Sequence, residues 1–371
     1  MKVVIIGGGL IGLAVGEELV RRGVRVDLIE RSETAGQESS SAAAGILTPQ
    51  GESEQPGSFF ELCKASYSLF PEVVARFKSL ISLDTGYSVT GLLAVAFSDE
   101  ESRNWNRKAD WLRQQGIASH ALSADEVRVL EPRIGAVISG VFWPQAAVVD
   151  PAALVQGYAK LFQSQGGKIH SSTLVTGVLA QGRQVYGVST SHGRFEGDAV
   201  INCAGAWAGF ERHFPISVPC RPARGQLLQY ETQVPLISRI VYSANGYLVP
   251  RSSYRLIAGS TVEYVGFDKQ VTEAATQLIH ERAVRLVPEI AQIPIEAAWA
   301  GLRPDSPDHL PILGKTEWQG LWMAAGHFRS GILLAPVTAR LIGDALLHGK
   351  TELDLSDFRL SRFEPAPQPR H

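Results

Sequence analysis

The chain has 371 residues, of which 45% are hydrophobic and 19% charged, and its formal net charge is −2. This length predicts two domains, and the near-neutral charge argues against nucleic acid or an anionic membrane as a partner. The three cysteines, Cys63, Cys203 and Cys220, are far apart and odd in number, which predicts no disulfide framework and is typical of a cytoplasmic protein. None of the nine histidines stands at a metal-ligand spacing from another histidine or a cysteine, so no metal site is expected.

The first 31 residues carry several signals in a fixed order. They are a buried strand at 2–6, the glycines Gly7, Gly9 and Gly12 of a G-x-G-x-x-G turn, a helix over about 10–22, and a second strand at 26–29 that Glu30 closes. Gly7 permits a tight turn, Gly9 lets a pyrophosphate approach the backbone, and Gly12 lets the helix pack closely on the strand. Glu30 stands where a carboxylate accepts hydrogen bonds from ribose hydroxyls. An acid at this position disfavours NADP and leaves FAD or NAD as the predicted cofactor.

Residues 38–47 are mostly serine and alanine, which permits two interpretations. Taken alone, such a run is typical of a flexible linker. Small residues also let the backbone approach a flat ring system, and serine hydroxyls reach phosphates. The position of the run directly after the second predicted strand favours this second interpretation. Residues 58–81 then carry apolar side chains at helical spacing and predict a long helix.

The middle of the chain mixes strands and helices. The predicted elements are a strand within 87–97, helices over about 99–115 and 123–130, a strand end at 141–144, a helix from 151 to about 165, and short strands at 168–170, 175–178 and 187–190. Ser123 with Glu126 predicts a capping box, and Asp150 before Pro151 predicts an N-cap. The apolar strand 198–203 runs into Ala204 and Gly205. It is either plain core ending in a turn or a late parallel strand whose glycine lies beside the cofactor.

The last third of the chain divides into two parts. Alternating strands are predicted at 226–230, 240–242, 246–250, 255–260 and 296–302, with a helix over 271–286 and a closing loop over 303–308. Residues 321–347 predict a strand, a glycine-bracketed turn and a long helix. The first amides of that helix are placed to stabilise negative charge on a reduced flavin.

These elements predict an α/β fold with a discontinuous Rossmann-like FAD-binding domain and an inserted antiparallel-sheet substrate-binding domain. The FAD-binding domain is expected over 1–83, 146–217 and 299–364. The substrate-binding domain is expected over 84–145 and 218–298. Residues 365–371 are expected to form a disordered tail.

Five motifs in sequence resemble the D-amino acid oxidase superfamily of FAD enzymes, and most of all its glycine oxidase members of the ThiO type. They are the N-terminal fingerprint, the small-residue run 40–47, Ala204–Trp207, Ala300–Asp305 and the run 326–336. The resemblance covers nearly the whole length. It implies non-covalent FAD, molecular oxygen as electron acceptor and a homo-oligomer, often a tetramer. No cysteine follows Cys220, which counts against the sarcosine oxidases that attach FAD through a cysteine in that region.

Carried over by position, the resemblance assigns Arg303 to the substrate carboxylate, with Tyr247 donating its hydroxyl and Arg329 close by. It places Gly45, Ile46 and Val262 in the substrate pocket, where Val262 replaces a methionine of the relatives and loosens the pocket. The implied cofactor-binding residues are Gly7, Gly9, Leu10, Ile11, Gly12, Glu30, Arg31, Ser39, Ser40, Ala44, Gly45, Ile46, Val175, Ala204, Gly205, His327, Phe328, Arg329, Ser330, Gly331, Ile332 and Leu333.

Each of these side chains also has a simpler interpretation. Arg303 precedes Pro304 and Asp305 and fits a loop ion pair, while Arg329 fits a surface or inter-domain salt bridge. Tyr247, in a predicted strand, fits half-buried packing. His327 fits a structural histidine better than a catalyst.

The expected function is FAD-dependent oxidative deamination of glycine and related small amines, such as sarcosine and small D-amino acids. The products would be a 2-oxo acid, ammonia and hydrogen peroxide, with the imine supplied to thiamine thiazole synthesis. A bidentate arginine–carboxylate clamp gives the fixed geometry that hydride transfer to a flavin requires. The alternatives are a D-amino acid dehydrogenase with a quinone acceptor and a non-catalytic FAD-binding subunit.

Overall fold

The computed structural model describes residues 1–51, 53, 55–209, 214–251 and 254–363. Seven α-helices lie in this part of the chain: α1 (Leu10–Arg21), α2 (Ser58–Ile81), α3 (Asp99–Gln114), α4 (Ala124–Leu130), α5 (Pro151–Ser164), α6 (Glu273–Leu286) and α7 (Gly331–His348). The tail expected at 365–371 lies outside the described residues.

The same residues form short and long strands. They are β1 (Lys2–Ile6), β2 (Arg25–Ile29), β3 (Ile46–Leu47), β4 (Ser88–Val89), β5 (Leu92–Ala96), β6 (His120–Ser123), β7 (Ser139–Trp143), β8 (Ala147–Val148), β9 (Lys168–His170), β10 (Val175–Gln181), β11 (Gln184–Thr190), β12 (Gly193–Glu196), β13 (Ala199–Asn202), β14 (Arg221–Glu231), β15 (Ile240–Ser243), β16 (Gly246–Pro250), β17 (Arg255–Gly259), β18 (Ile295–Asp305), β19 (Ile312–Lys315) and β20 (Leu321–Ala325).

A six-stranded sheet in the order β19-β20-β13-β1-β2-β9 forms the first layer. Its strands are parallel except for β19, which runs antiparallel to β20. Val3, Val4 and Ile5 of the central β1 are fully buried, as their apolar run predicts. Helices α1, α2, α5 and α7 pack together beside this sheet. The carboxyl ends of β1, β2 and β13 therefore meet at one edge, where doubly wound folds bind ligands.

An eight-stranded sheet in the order β18-β14-β17-β16-β15-β5-β7-β6 forms the second layer. All neighbours are antiparallel except β15 and β5. The mixed α/β fold is thus confirmed, with parallel strands in one sheet and mainly antiparallel strands in the other. Two three-stranded sheets, β10-β11-β12 and β3-β8-β4, complete the strands.

The edge strand β18 is longer than the sequence predicts. It pairs with β14 from Ile295 to Asp305, so the loop expected to begin at Arg303 starts only after Asp305. Pro304 is tolerated because an edge strand has one side on which no N–H donor is needed. The domain boundary expected between residues 298 and 299 therefore falls inside a strand of the second sheet. Arg303 is carried by regular backbone and not by a loop.

Helix ends follow the predicted capping chemistry. The carboxylate of Asp150 accepts hydrogen bonds from the amides of Ala152 and Ala153, and Ser123 with Glu126 forms a capping box before α4. Helix α7 has the length and composition of a membrane-spanning helix. However, 61% of that stretch is buried inside the protein, where α7 packs on α1 and α2. The helix is therefore part of the core.

Candidate active site

The glycine turn after β1 is shaped by close approaches that a side chain would prevent. Gly7 has φ +98°, and a Cβ there would lie 2.6 Å from the carbonyl oxygen of Cys203. A Cβ on Gly12 would overlap the carbonyl oxygen of Gly7, so this glycine brings α1 against the turn. A Cβ on Gly9 would meet only Ser40 Oγ, at 3.4 Å, which leaves the backbone of Gly9 approachable from the adjacent cleft.

The predicted ribose-binding acid is held in place by the backbone. Glu30 is only 8% exposed, and its two carboxylate oxygens accept hydrogen bonds from the amides of Gly8 and Ser32, each at 2.7 Å. Nearby, the amide of Leu10 at the start of α1 donates to Ser40 Oγ at 2.9 Å. The serine-rich run therefore reaches the glycine turn directly, as the non-linker interpretation of that run predicts.

A cavity of about 520 Å³ lies over this turn and is called the first cavity below. It contains most of the predicted cofactor-binding residues: Gly7, Gly9, Leu10, Ile11, Glu30, Arg31, Ser39, Ser40, Val175, Ala204, Gly205, His327, Phe328, Arg329, Gly331 and Ile332. Part of the wall is glycine backbone, and the N-termini of α1 and α7 also face the cavity. Both features suit the phosphates of a dinucleotide. The lining therefore fits FAD.

The turn between β20 and α7 closes one side of the first cavity. Gly326 has φ +71° and Phe328 has φ +44°, and the amide of Phe328 donates to the carbonyl of Pro304 at 2.8 Å. His327 is 2% exposed, lies 3.0 Å from Thr338 Oγ1, and burial lowers its pKa to about 3. A neutral, buried ring of this kind matches the structural histidine that the sequence predicts.

A smaller cavity of about 90 Å³, called the second cavity below, adjoins the first. Ala43, Arg303, Arg329 and Ile332 line both cavities, so the two share a wall. All remaining predicted site residues except Gly12 and Val262 line the second cavity. They are Ala44, Gly45, Ile46, Tyr247, Ser330 and Leu333. The structure thus brings the predicted substrate-binding and flavin-lining residues together.

Arg303 lies flat against the neighbouring strand. A Cβ on Gly225 would overlap the guanidinium, so this glycine provides the space that Arg303 occupies. Arg303 Nη1 donates to the carbonyl of Thr261 at 2.9 Å, and Nη2 donates to Ser260 Oγ at 3.0 Å. These bonds fix the plane of the guanidinium at the shared wall.

Asp305, the acid considered as an ion-pair partner of Arg303, is fully buried and has other contacts. Its carboxylate accepts a hydrogen bond from the Tyr264 hydroxyl at 2.8 Å and lies 3.3 Å from Arg221 Nε and 2.6 Å from His309 Nδ1.

Tyrosine side chains from one hairpin form part of the second cavity. Tyr242 and Tyr247 stack with their ring centres 6.2 Å apart, and Arg329 Nη2 donates to the Tyr242 hydroxyl at 3.3 Å. A Cβ on Gly259 would lie 2.6 Å from the Tyr247 hydroxyl oxygen, so this glycine makes room for that hydroxyl.

Gly45 is required by its surroundings. It has φ +65°, and a Cβ there would overlap the carbonyl of Val149 and lie 2.7 Å from Arg251 Nη2. The guanidinium of Arg251 donates to the carbonyl of Val149 at 2.8 Å and to that of Ala44. Burial lowers the pKa of Arg251.

Two predicted site residues lie outside both cavities. Gly12 acts through packing against Gly7. Val262 is 46% exposed and lines neither cavity, contrary to its expected place in the substrate pocket. The reason is the alternation of side chains along an extended backbone. The neighbouring Thr261 is 8% exposed and turns inward to accept the amide of Gln226 at 3.0 Å, which directs Val262 outward.

The sequence did not predict several lining residues of the second cavity: Thr48, Trp105, Lys108, Trp143 and Tyr242. Trp105 and Lys108 lie on α3, an ordinary amphipathic helix, and Trp143 ends a strand of the second sheet. No local motif marks them, because only the packing of α3 on the sheet brings them to the cavity. Within the described residues, no group of three or more His, Cys, Asp or Glu side chains is arranged to hold a metal ion.

A parallel sheet with a glycine turn, an acid after the second strand and a second, mainly antiparallel sheet are typical of dinucleotide-dependent oxidoreductases. Residues 2–345 match the family of FAD-dependent oxidoreductases of the DAO type, and the chain belongs to this family. FAD is therefore its cofactor.

Individual relatives within this family are similar to nearly the whole chain. The chain is 33% identical to a glycine oxidase of Geobacillus kaustophilus over 97% of the chain and 96% of that protein. A crystal structure of glycine oxidase from Geobacillus kaustophilus superposes with a TM-score of 0.93, covering 97% of this chain and 99% of the other. The chain is also 36% identical to the bifunctional protein ThiO/ThiG of Trichormus variabilis, over 98% of the chain but only 55% of that longer relative. It thus spans about half the length of that relative.

Proposed function

We propose that the protein is an FAD-dependent amino acid oxidase of the glycine oxidase type. Its substrates are glycine and related small amines, such as sarcosine and small D-amino acids. With oxygen and water they give a 2-oxo acid, hydrogen peroxide and a released amine, which is ammonia for primary amines and methylamine for sarcosine. The relatives named glycine oxidase and the size of the second cavity support this choice. At about 90 Å³ the second cavity is much smaller than the first, at about 520 Å³, which suits a substrate much smaller than a dinucleotide.

One observation carries the proposal: Arg303 and Arg329 lie on the wall that separates the two cavities. A guanidinium in this position binds a carboxylate through two parallel hydrogen bonds. Arg303 is already oriented by Thr261 and Ser260, so substrate binding costs little side-chain entropy. A carboxylate held there places the attached carbon next to the first cavity.

The remaining residues complete this arrangement. The Tyr247 hydroxyl, for which Gly259 makes room, donates to the same carboxylate, while Arg329 contributes positive charge beside Tyr242. Bound FAD supplies the two-electron acceptor for the amine. The chain supplies orientation and exclusion of water, and the neutral His327 is assigned no proton transfer.

The same family resemblance supports four further proposals. Molecular oxygen is the electron acceptor, and the imine product feeds thiamine thiazole synthesis, in line with the ThiO/ThiG relatives. The chain forms a homo-oligomer, with a tetramer as the expected size, in the cytoplasm. Peroxide release tests oxygen as the electron acceptor. Analytical ultracentrifugation measures the oligomeric state, and cell fractionation tests the location.

Anaerobic reduction of the bound flavin is the direct test of the activity. The purified holoenzyme is mixed with glycine, sarcosine, D-alanine or D-proline without oxygen, and flavin absorbance is recorded. Arg303→Ala is measured alongside Arg255→Ala, which removes a cation that lines neither cavity from β17, two strands away from β18 in the same sheet. We expect bleaching by small amines in the wild type and in Arg255→Ala. In Arg303→Ala, kcat/KM falls by about 100-fold or more, since a charged two-point hydrogen bond is lost.

Three results would contradict the proposal. Flavin that binds and is never bleached by these amines would favour a non-catalytic FAD-binding subunit. Bleaching that is restored by a quinone or dye but not by oxygen would favour a dehydrogenase. Equal loss of activity in both arginine variants would remove Arg303 from its assigned role.

A further inference from the structure

The loop between β17 and α6, residues 260–272, is called the strap below. It begins where β17 of the second sheet ends and leads into α6, which packs on β14, β16 and β17 of that sheet. It is folded around the buried guanidinium of Arg224, which is 4% exposed and forms ion pairs with Glu263 at 2.6 Å and with Asp268 at 2.8 Å. Arg224 also donates to the carbonyl of Gln270 at 3.1 Å. Several contacts to one buried charge give the strap a defined shape.

The tip of the strap contacts two residues of the FAD-binding side, Trp207 and Glu38. Phe267 stacks on Trp207 with ring centres 5.1 Å apart and planes 27° apart. The guanidinium of Arg31 lies over the Trp207 ring, 3.5 Å from its centre, and pairs with Glu38 at 2.5 Å. Lys269 pairs with the other oxygen of Glu38 at 2.8 Å. The five side chains form a continuous series of four contacts that begins and ends on the strap, and this series is called the clasp below.

The clasp joins three distant chain segments at one wall of the first cavity. Arg31, Glu38 and Trp207 line that cavity, whereas Phe267 and Lys269 support them from outside. Arg31 directly follows Glu30, the predicted ribose-binding acid, so the clasp lies at the adenosine end of the cleft. Cation–π, aromatic and ionic contacts of this kind each contribute modestly, but together they immobilise side chains that would otherwise move.

We propose that the strap is part of the cofactor site and that its clasp retains FAD. Phe267 and Lys269 hold Arg31 and Trp207 in place at the wall, and FAD leaves only after these contacts open. The two strap residues are therefore positioning residues for the cofactor, and neither contacts substrate. The inference rests on the FAD requirement of the family and is independent of which amine is oxidised.

The test measures the rate of FAD release from the holoenzyme. The protein is diluted, and the rise of free-flavin fluorescence is followed for the wild type, Phe267→Ala, Lys269→Met and Lys269→Arg. Val265→Ala is the matched control, since this strap residue is 42% exposed and lies outside the clasp. We expect Phe267→Ala to accelerate release by about three- to tenfold and Lys269→Met by about two- to fivefold. Lys269→Arg and Val265→Ala should release FAD at the wild-type rate.

Ionic strength provides a second readout that a merely structural role would not change. Added salt screens the half-exposed pair between Lys269 and Glu38 and should accelerate FAD release from the wild type. The salt response should be smaller in Lys269→Met. Folding is not at risk in this variant, because the Lys269 side chain is 43% exposed. Release rates of Phe267→Ala and Lys269→Met within twofold of the Val265→Ala rate would overturn the proposal.

Discussion

The first and second cavities are built in different ways, although they share a wall. The first cavity is lined by a glycine turn, the N-termini of α1 and α7 and a small-residue run. The glycine turn, α1 and the small-residue run follow one another near the start of the chain, whereas α7 begins only at Gly331. The second is formed by large side chains from α3, β7, β15, β16 and β18, which are far apart in sequence.

The shape of the first cavity is therefore set by glycine backbone, and that of the second by oriented side chains. The first cavity depends on glycines that lack a side chain, since a single added Cβ on Gly7 or Gly12 would collide with carbonyl oxygens. The second cavity depends on contacts that orient its side chains. Gly225 leaves space for the guanidinium of Arg303, and Thr261 and Ser260 accept hydrogen bonds from it. Substitutions of single glycines can therefore separate the two sites.

Gly12→Ala should produce the largest effect and act on the first cavity. The new methyl group overlaps the carbonyl of Gly7, which separates α1 from the turn. We expect loss of bound FAD and a fall of about 3 kcal/mol in the free energy of unfolding of the apoprotein. Flavin absorbance after gel filtration and urea denaturation measure both quantities. Gly57→Ala is a control for glycine replacement as such, because open space surrounds that position and its backbone is extended. Normal FAD content in Gly12→Ala would show that FAD binding does not require a glycine at this position.

Gly225→Ala should act on Arg303 at the shared wall and leave the glycine turn of the first cavity unchanged. Its Cβ overlaps the guanidinium of Arg303 and must displace it. We expect kcat/KM for glycine to fall by about 100-fold, because the carboxylate clamp is misplaced, with FAD content unchanged. Ala223→Gly on the same strand serves as the control for local backbone change. Unaltered kinetics in Gly225→Ala would show that Arg303 needs no support from this glycine.

Gly259→Ala tests the tyrosine side of the same cavity. Its Cβ would lie 2.6 Å from the Tyr247 hydroxyl oxygen and push the ring away. We expect a decrease of about tenfold in kcat/KM, equivalent to one hydrogen bond to a charged group. Tyr247→Phe should give a similar decrease, since both changes remove the same donor. A much larger effect in Gly259→Ala would indicate damage beyond the hydroxyl.

His327→Gln should produce the smallest effect, and it depends on pH. Burial lowers the pKa of His327 to about 3 in the folded protein, so the unfolded chain binds one more proton between that value and about 6.5. Stability from this group is therefore full above pH 6.5 and decreases as the pH falls. Between pH 6.5 and 5.5 the wild type should lose about 1 kcal/mol more than His327→Gln. Denaturant titrations at both pH values measure the difference, and parallel losses in the two proteins would contradict the assignment.

Local signals were enough for much of the fold. Helix α2 occupies the residues 58–81 that its apolar spacing predicts, and the caps at Asp150 and Ser123 form as expected. These features succeed because their determinants lie within a few residues of one another. The end of β18 was predicted three residues too early, because pairing with β14 continues through Pro304 at the sheet edge. Pairing between distant strands leaves no mark in a short window of sequence.

The cofactor site could be predicted for the same reason, and the substrate site only by resemblance. The order of strand, glycine turn, helix and acid identified the first cavity from residues 2–30, and the family match supplied FAD. The resemblance placed Arg303 and Tyr247 at the second cavity. It also placed Val262 there, where the alternation set by Thr261 turns it outward.

The sequence by itself determined the conformation of the N-terminal glycine turn and the acid beside it, because glycines and an acid at fixed spacing dictate the local backbone and its charge. Only the tertiary structure decided which side chains form the second cavity and that the strap reaches Trp207. Trp105, Lys108 and Phe267 acquire their neighbours through the packing of separate sheets and helices. Such contacts depend on the summed burial of many residues, which no single stretch of the chain encodes.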